Sequence, residues 1–169
     1  MRRIAFWLML GLLCFGSPLR AQAPADPFAP LAHWVGGQWV NTIKTKEGEE
    51  VRVIRAYEWS FDRRVLVGRS FGERAGKRVQ TRHTLYLWNP ETKRIEFTDV
   101  LDQGGFGAGF VEVRDGQVYM EARIVGNDTH PHWRAWVTRG ADGAEAFRIE
   151  AEQNGAWAPF GTWVYRREP

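Results

Sequence analysis

The sequence predicts an all-β protein, a single antiparallel up-and-down β-barrel of about ten strands. Three observations lead there. From Trp34 onward, segments of about eight to twelve residues rich in Val, Ile, Thr, Phe, Tyr or Trp follow one another. Each is closed by a turn signal, and nine such signals separate ten strands. After Phe28 no run spaces apolar residues at helical intervals over the length of a core helix, a short turn at Ala29 to Trp34 excepted.

Ahead of the strands lies an export signal. Met1-Arg2-Arg3 supplies a cationic start, and the apolar run from Ile4 to Phe15 is too short for a stable bilayer anchor. Ser17-Pro18 stops a helix, and Ala21-Gln22-Ala23 is the small-x-small pattern that a signal peptidase accepts. Cleavage is expected after Ala23, making residues 1–23 a signal peptide, 24–33 a lead-in and 34–169 the barrel, secreted or periplasmic. A lipoprotein form is disfavoured because Leu13 stands before Cys14 where a small residue is expected. Cys14 is the only cysteine, so the mature chain has no disulfide framework, thiol nucleophile or cysteine-ligated metal.

Composition narrows the partners. The 169 residues, 44% of them hydrophobic, make one domain with one core. The formal charge of +3 depends on Arg2, Arg3 and Arg20, and without them 20 basic residues face 20 acidic ones. A neutral chain lacks the electrostatic footprint of a phosphate-backbone binder, which argues against nucleic acid and against an anionic membrane surface. Nine tryptophans and 14% aromatic residues exclude disorder.

The strands are then read in order by their period of two. The first opens at Trp34 and ends at Lys46-Glu47-Gly48-Glu49; in the second, Val51, Val53, Tyr57, Trp59 and Phe61 share the apolar face, before a turn at Asp62-Arg63. Val65, Val67 and Phe71 form the next apolar face, up to Ala75-Gly76-Lys77. Val79, Leu85 and Leu87 follow, then Asn89-Pro90-Glu91-Thr92, then Ile95, Phe97 and Leu101 before Asp102-Gln103-Gly104-Gly105. Gly104, Gly105, Gly107 and Gly109 mark a bend or bulge where a barrel turns a corner. Beyond Asp115-Gly116, Val118, Met120, Ala122 and Ile124 share a face. Turns at Gly126-Asn127-Asp128-Thr129, Gly140-Ala141-Asp142-Gly143 and Asn154-Gly155 bound the last strands. Ten such strands bury their apolar faces by curling into a barrel or by folding into two packed sheets, and closure alone removes the exposed edges.

Val35-Gly36-Gly37-Gln38-Trp39 opens the first strand with Gly-x-Trp, and Trp163-Val164-Tyr165-Arg166-Arg167 closes the last. The pattern resembles the opening motif of lipocalins and the wider calycin group. That resemblance implies Trp39 as a barrel-floor residue, with Arg166 or Arg167 packed across it. The ten strands and the missing C-terminal helix are closer to the fatty-acid-binding and nitrobindin-like barrels, and the chain also resembles uncharacterised exported lipocalin-like domains of bacteria.

A barrel of this size encloses more volume than side chains readily fill, so an internal cavity for a small apolar or amphipathic molecule is expected. Tyr57, Trp59, Phe71, Leu85, Phe97, Phe110 and Met120 are expected to line it. Arg55, Arg69, Thr81, His83 and Asp99 are polar residues on the otherwise apolar face, and a buried charge asks for a partner or a ligand. Arg55 and Arg69 with Tyr57 resemble in kind the constellation that holds a carboxylate in fatty-acid-binding barrels. The alternatives are an Arg55–Asp99 pair, a position in water at the rim, or a one-residue bulge that flips the faces.

Other chemistries leave weaker marks. His130-Pro131-His132 with Asn127 and Asp128 offers too few ligands in a turn, so no metal is expected. The resemblance to nitrobindin-like barrels would imply a haem-holding histidine near the last strands, but none falls in residues 144–169, so haem is disfavoured and no cofactor is expected. His83 and Asp99, read on one face of neighbouring strands, suggest a general-base pair for a small isomerase or hydratase. No Gly-x-Ser-x-Gly elbow accompanies them. A third reading makes outward-facing Trp88, Trp136 and Trp163 an interaction surface.

Overall fold

The computed structural model describes residues 26–126 and 131–169. The expected signal peptide and residues Asn127, Asp128, Thr129 and His130 lie outside them. The described chain is a short lead-in with a 3₁₀ turn at Ala32–Trp34, followed by ten antiparallel strands. They are β1 (Gln38–Lys44), β2 (Glu50–Ser60), β3 (Val65–Arg74), β4 (Lys77–Asn89), β5 (Arg94–Leu101), β6 (Phe106–Arg114), β7 (Gln117–Val125), β8 (His132–Arg139), β9 (Glu145–Gln153) and β10 (Ala156–Glu168). Each strand pairs with the next, and β1 pairs with β10, so the sheet is a closed up-and-down barrel. Closure gives every strand two neighbours and leaves no free edge.

All nine connections fall where the turn signals stand. Three are two-residue hairpins whose central residues both take positive φ: Ala75-Gly76, Asp115-Gly116 and Asn154-Gly155. That backbone matches the right-handed twist of the flanking strands.

One end of the barrel is plugged by its own lead-in. Phe28, Leu31 and Trp34 are all essentially solvent-free and join the barrel core with Trp39. Phe28 meets Trp59 edge-on at 5.5 Å between ring centres, and Trp34 lies 4.9 Å from Tyr57 and 6.2 Å from Phe147. The backbone carbonyl of Trp34 accepts the indole N–H of Trp39 at 2.9 Å. Across Trp39 lies Arg167, 5.6 Å from the ring centre, donating to the carbonyls of Val35 and Gly36. Arg166 instead turns outward to Asp142 at 2.6 Å, so the basic residue of the floor is Arg167. Gly37 is required where it stands, since a Cβ there would meet the Glu168 carbonyl at 2.7 Å.

Strand faces follow the expected pattern on β5 and β7, and on β2 up to its end. On β3 and β4 they do not. The four residues 61–64 joining β2 to β3 pair Trp59 with Leu66 and Tyr57 with Gly68, so Leu66, Gly68 and Ser70 point inward. Val65 and Phe71 therefore belong to the outer face, where Arg78 stacks on Phe71 at 4.1 Å, and Val67 is buried on that face. Phe61 falls in the turn itself and is 76% exposed. On β4 a bulge decides the matter: Phe71 pairs with Gln80 but Ser70 pairs with Arg82, leaving Thr81 extra. That one residue turns Arg82, Thr84 and Tyr86 inward and Leu85 and Leu87 out into solvent.

The glycines of β6 do not make a bulge. The pairings of β6 with β5 and β7 run in unbroken register, and the shifts fall instead on β3–β4 and at Pro159/Gly161 of β10.

Candidate functional site

Inside the barrel is a cavity of about 220 Å³. It runs from Arg55, Tyr57 and Phe147 beside the plug toward Ile124 and Ala151 near the opposite end. Its wall is mostly apolar and aromatic, with Met120, Trp133, Ala135, Ile149 and Trp163 contributed by β7 to β10. Facing them across β2 to β4 is a polar side of Arg55, Ser70, Arg82 and Thr84.

Arg55 is the deepest cation. Its guanidinium stacks on Phe147 at 4.4 Å and on Tyr165 at 4.2 Å, with the Tyr57 phenol beside it. Desolvation by burial alone would lower its pKa. The oxygens of Tyr165, Tyr57 and Tyr86 outweigh that and leave it raised, so the group stays charged. No carboxylate forms an ion pair with it among the described residues. Asp99, which the sequence offers as a partner, is 1% exposed and engaged elsewhere, accepting from Thr84 Oγ1 at 2.6 Å and facing Arg82 at 3.5 Å. The other buried carboxylate, Glu145, is hydrogen-bonded to His33 Nε2 in the plug.

The phenols beside Arg55 are held neutral. Burial raises the Tyr57 hydroxyl from the ordinary 10.0 to about 12, with Arg55 offsetting only part of it, and burial pushes Tyr86 up as well. A phenol that binds its proton more tightly in the fold than in the open chain stabilises the fold below its ordinary pKa. That stability is lost as pH rises toward the folded value. Denaturant unfolding followed by circular dichroism should therefore show stability falling between pH 10 and 12, with Tyr57 accounting for on the order of 2 kcal/mol. Tyr57→Phe should show a smaller fall; an identical one contradicts the burial of this hydroxyl beside Arg55.

Of the residues that the sequence nominates, Arg55, Tyr57 and Met120 meet at the cavity. Phe97 is buried in the wall, 5.5 Å from Tyr86 and 6.2 Å from Trp133. Trp59 packs against the plug rather than the cavity. Arg69 borders the cavity, but its guanidinium leaves for Glu58 at 2.7 Å. Phe71, Leu85 and His83 stand on the outer face because of the β2–β3 connection and the Thr81 bulge. Phe110 is also outside, stacked by Arg94 at 4.7 Å, because Gly109 and Val111 take the inward positions of β6. His83 and Asp99 thus lie on opposite faces of the wall and form no general-base pair.

The histidine and tryptophan candidates are redistributed too. His132 is on the outer face with both ring nitrogens taken, Nδ1 by Glu152 at 2.5 Å and Nε2 by Glu121 at 2.9 Å. Trp136 is also outside, between Arg134 and Arg148, whereas Trp163 lines the cavity. Sequence reading missed Arg82, Thr84 and Tyr86, which lie on the face that the bulge inverts. It also missed Trp133 and Phe147, whose signal was present in the alternation of Trp133, Ala135 and Val137 and of Phe147, Ile149 and Ala151. No family model and no curated sequence matches the chain.

Proposed function

We propose that this protein is an exported, lipocalin-like binding protein that holds a small apolar or amphipathic molecule inside its barrel without covalent chemistry. The observation that carries the reading is the cavity of about 220 Å³, walled by aromatic rings and containing a half-buried arginine with no carboxylate partner among the described residues. Concave, mostly apolar volumes with a few placed polar groups are the usual form of a small-molecule site. The floor of Trp39 beneath Arg167 supports the lipocalin likeness. The enzyme reading loses its only acid–base pair with the separation of His83 from Asp99.

Native mass spectrometry of the protein purified from its own export compartment tests this. A chain beginning at Pro24 and carrying a small organic mass is expected. Ala135→Phe, which pushes a ring into the cavity from β8, should abolish the bound mass while leaving the circular dichroism of the barrel unchanged. An empty protein, or the same adduct in the filled variant, overturns the reading; a retained leader overturns export.

A further inference from the structure

The deep end of the cavity holds a cation, Arg55, with no ion-pair partner among the described residues. Every contact of the Arg55 guanidinium is to a ring face or a phenol: Phe147, Tyr165 and Tyr57. Beneath it, behind the cavity lining, the hydroxyl of Tyr165 and the indole N–H of Trp34 are buried with no hydrogen-bond partner among the described residues. Both rings belong to residues that are 1% exposed, and both pack on Phe147, at 5.4 Å and 6.2 Å between centres. The carboxylates that might neutralise Arg55 are held by others, Glu145 by His33 and Asp99 by Thr84 and Arg82. Tyr57 is protonated at neutral pH and brings no negative charge. A half-buried cation without an anion is costly, and an anion bearing acceptor oxygens removes that cost.

Size sets the second constraint. The cavity of about 220 Å³ is below the range of about 300–1,000 Å³ that holds drug-sized ligands. It is larger than the roughly 150 Å³ of an apolar cavity that holds one benzene. A long acyl chain does not fit in that space. A single ring with one small substituent does, and Trp133, Trp163 and Met120 offer it aromatic and thioether surfaces.

We propose that the ligand is a compact, single-ring aromatic anion, with its acceptor oxygens on Arg55 and Tyr57 and its ring against the β7–β10 wall. This rests on the cavity being a binding site, as argued above, and departs from a fatty-acid carrier in both charge placement and size. Arg55 would be the residue that selects charge.

Isothermal titration calorimetry of the purified protein with benzoate, with benzyl alcohol as the neutral analogue of the same shape, and with hexadecanoate tests the assignment. Benzoate should bind with 1:1 stoichiometry, and about 10- to 100-fold more tightly than benzyl alcohol, the factor for a charge-assisted hydrogen bond in a desolvated site. Hexadecanoate should give no saturable heat. Arg55→Met should bring benzoate down to the level of benzyl alcohol while leaving benzyl alcohol within about threefold. Tyr57→Phe keeps the ring and the charge, so it stays informative if the arginine variant does not fold; it should weaken benzoate alone, by about three- to tenfold. Equal affinity for benzoate and benzyl alcohol overturns the anion assignment while leaving the binding cavity intact, as does an unchanged benzoate affinity in both variants. Tighter binding of hexadecanoate overturns the size limit. Failure of both benzoate and benzyl alcohol to bind, with no small molecule bound to the protein as isolated, overturns this proposal and the binding reading together.

Discussion

Replacing Trp34 by alanine is expected to destabilise the barrel by about 3–5 kcal/mol, the range for truncating a fully buried large aromatic. The indole is 1% exposed and touches Tyr57, Tyr86 and Phe147, so its removal opens a void at the point where the lead-in meets the floor of the cavity. The surrounding side chains sit on strands fixed by the closed ladder and collapse little into that void. Urea unfolding of Trp34→Ala against the parent measures the loss, and a change below about 1 kcal/mol contradicts the plug. Trp34→Phe separates packing from polarity. The indole N–H of Trp34 has no acceptor among the described residues, so the phenylalanine variant should lose only part of the ring contact, about 1–2 kcal/mol.

Gly109→Ala is expected to cost about 2–3 kcal/mol through backbone displacement rather than through a void. A Cβ at this position would lie 2.1 Å from the carbonyl oxygen of Glu121 and 2.7 Å from Cβ of Ala122. Both atoms belong to β7, so relief requires the two strands to separate rather than a side chain to rotate. Gly72→Ala is the control. There the nearest atom is Cγ2 of Thr81 at 3.6 Å, an ordinary contact, and the expected change is within about 0.5 kcal/mol. Equal effects at the two positions would show that β6 does not approach β7 as closely as the register places it.

How far the candidate site was legible depends on where parity could be counted safely. On β2 the polar exceptions Arg55 and Tyr57 sit among inward-facing residues with no irregularity between them and the turn, and both reach the cavity. On β4 the sequence is apolar on both faces, with Leu85 and Leu87 on one and Tyr86 on the other. Period two alone cannot choose between these faces, and the bulge at Thr81 makes the choice. The same slip brings Arg82 and Thr84 inside and puts His83, expected on the inner face, outside. For Arg55 the sequence offers Asp99 or a ligand as partner; Asp99 is taken by Thr84 and Arg82 of β4, which leaves Arg55 without an ion-pair partner among the described residues.

Local chemistry, written residue by residue, determined the strands, their nine turns and the single barrel they close into. Backbone preferences and turn geometry act over a few residues and leave a direct mark on the chain. Which residues share the interior was decided only in three dimensions, by one extra residue in β4, by the length of the β2–β3 connection and by the lead-in folding across one end. Each of these depends on how distant segments register against one another, and a displacement of one position exchanges the inside of a strand for its outside.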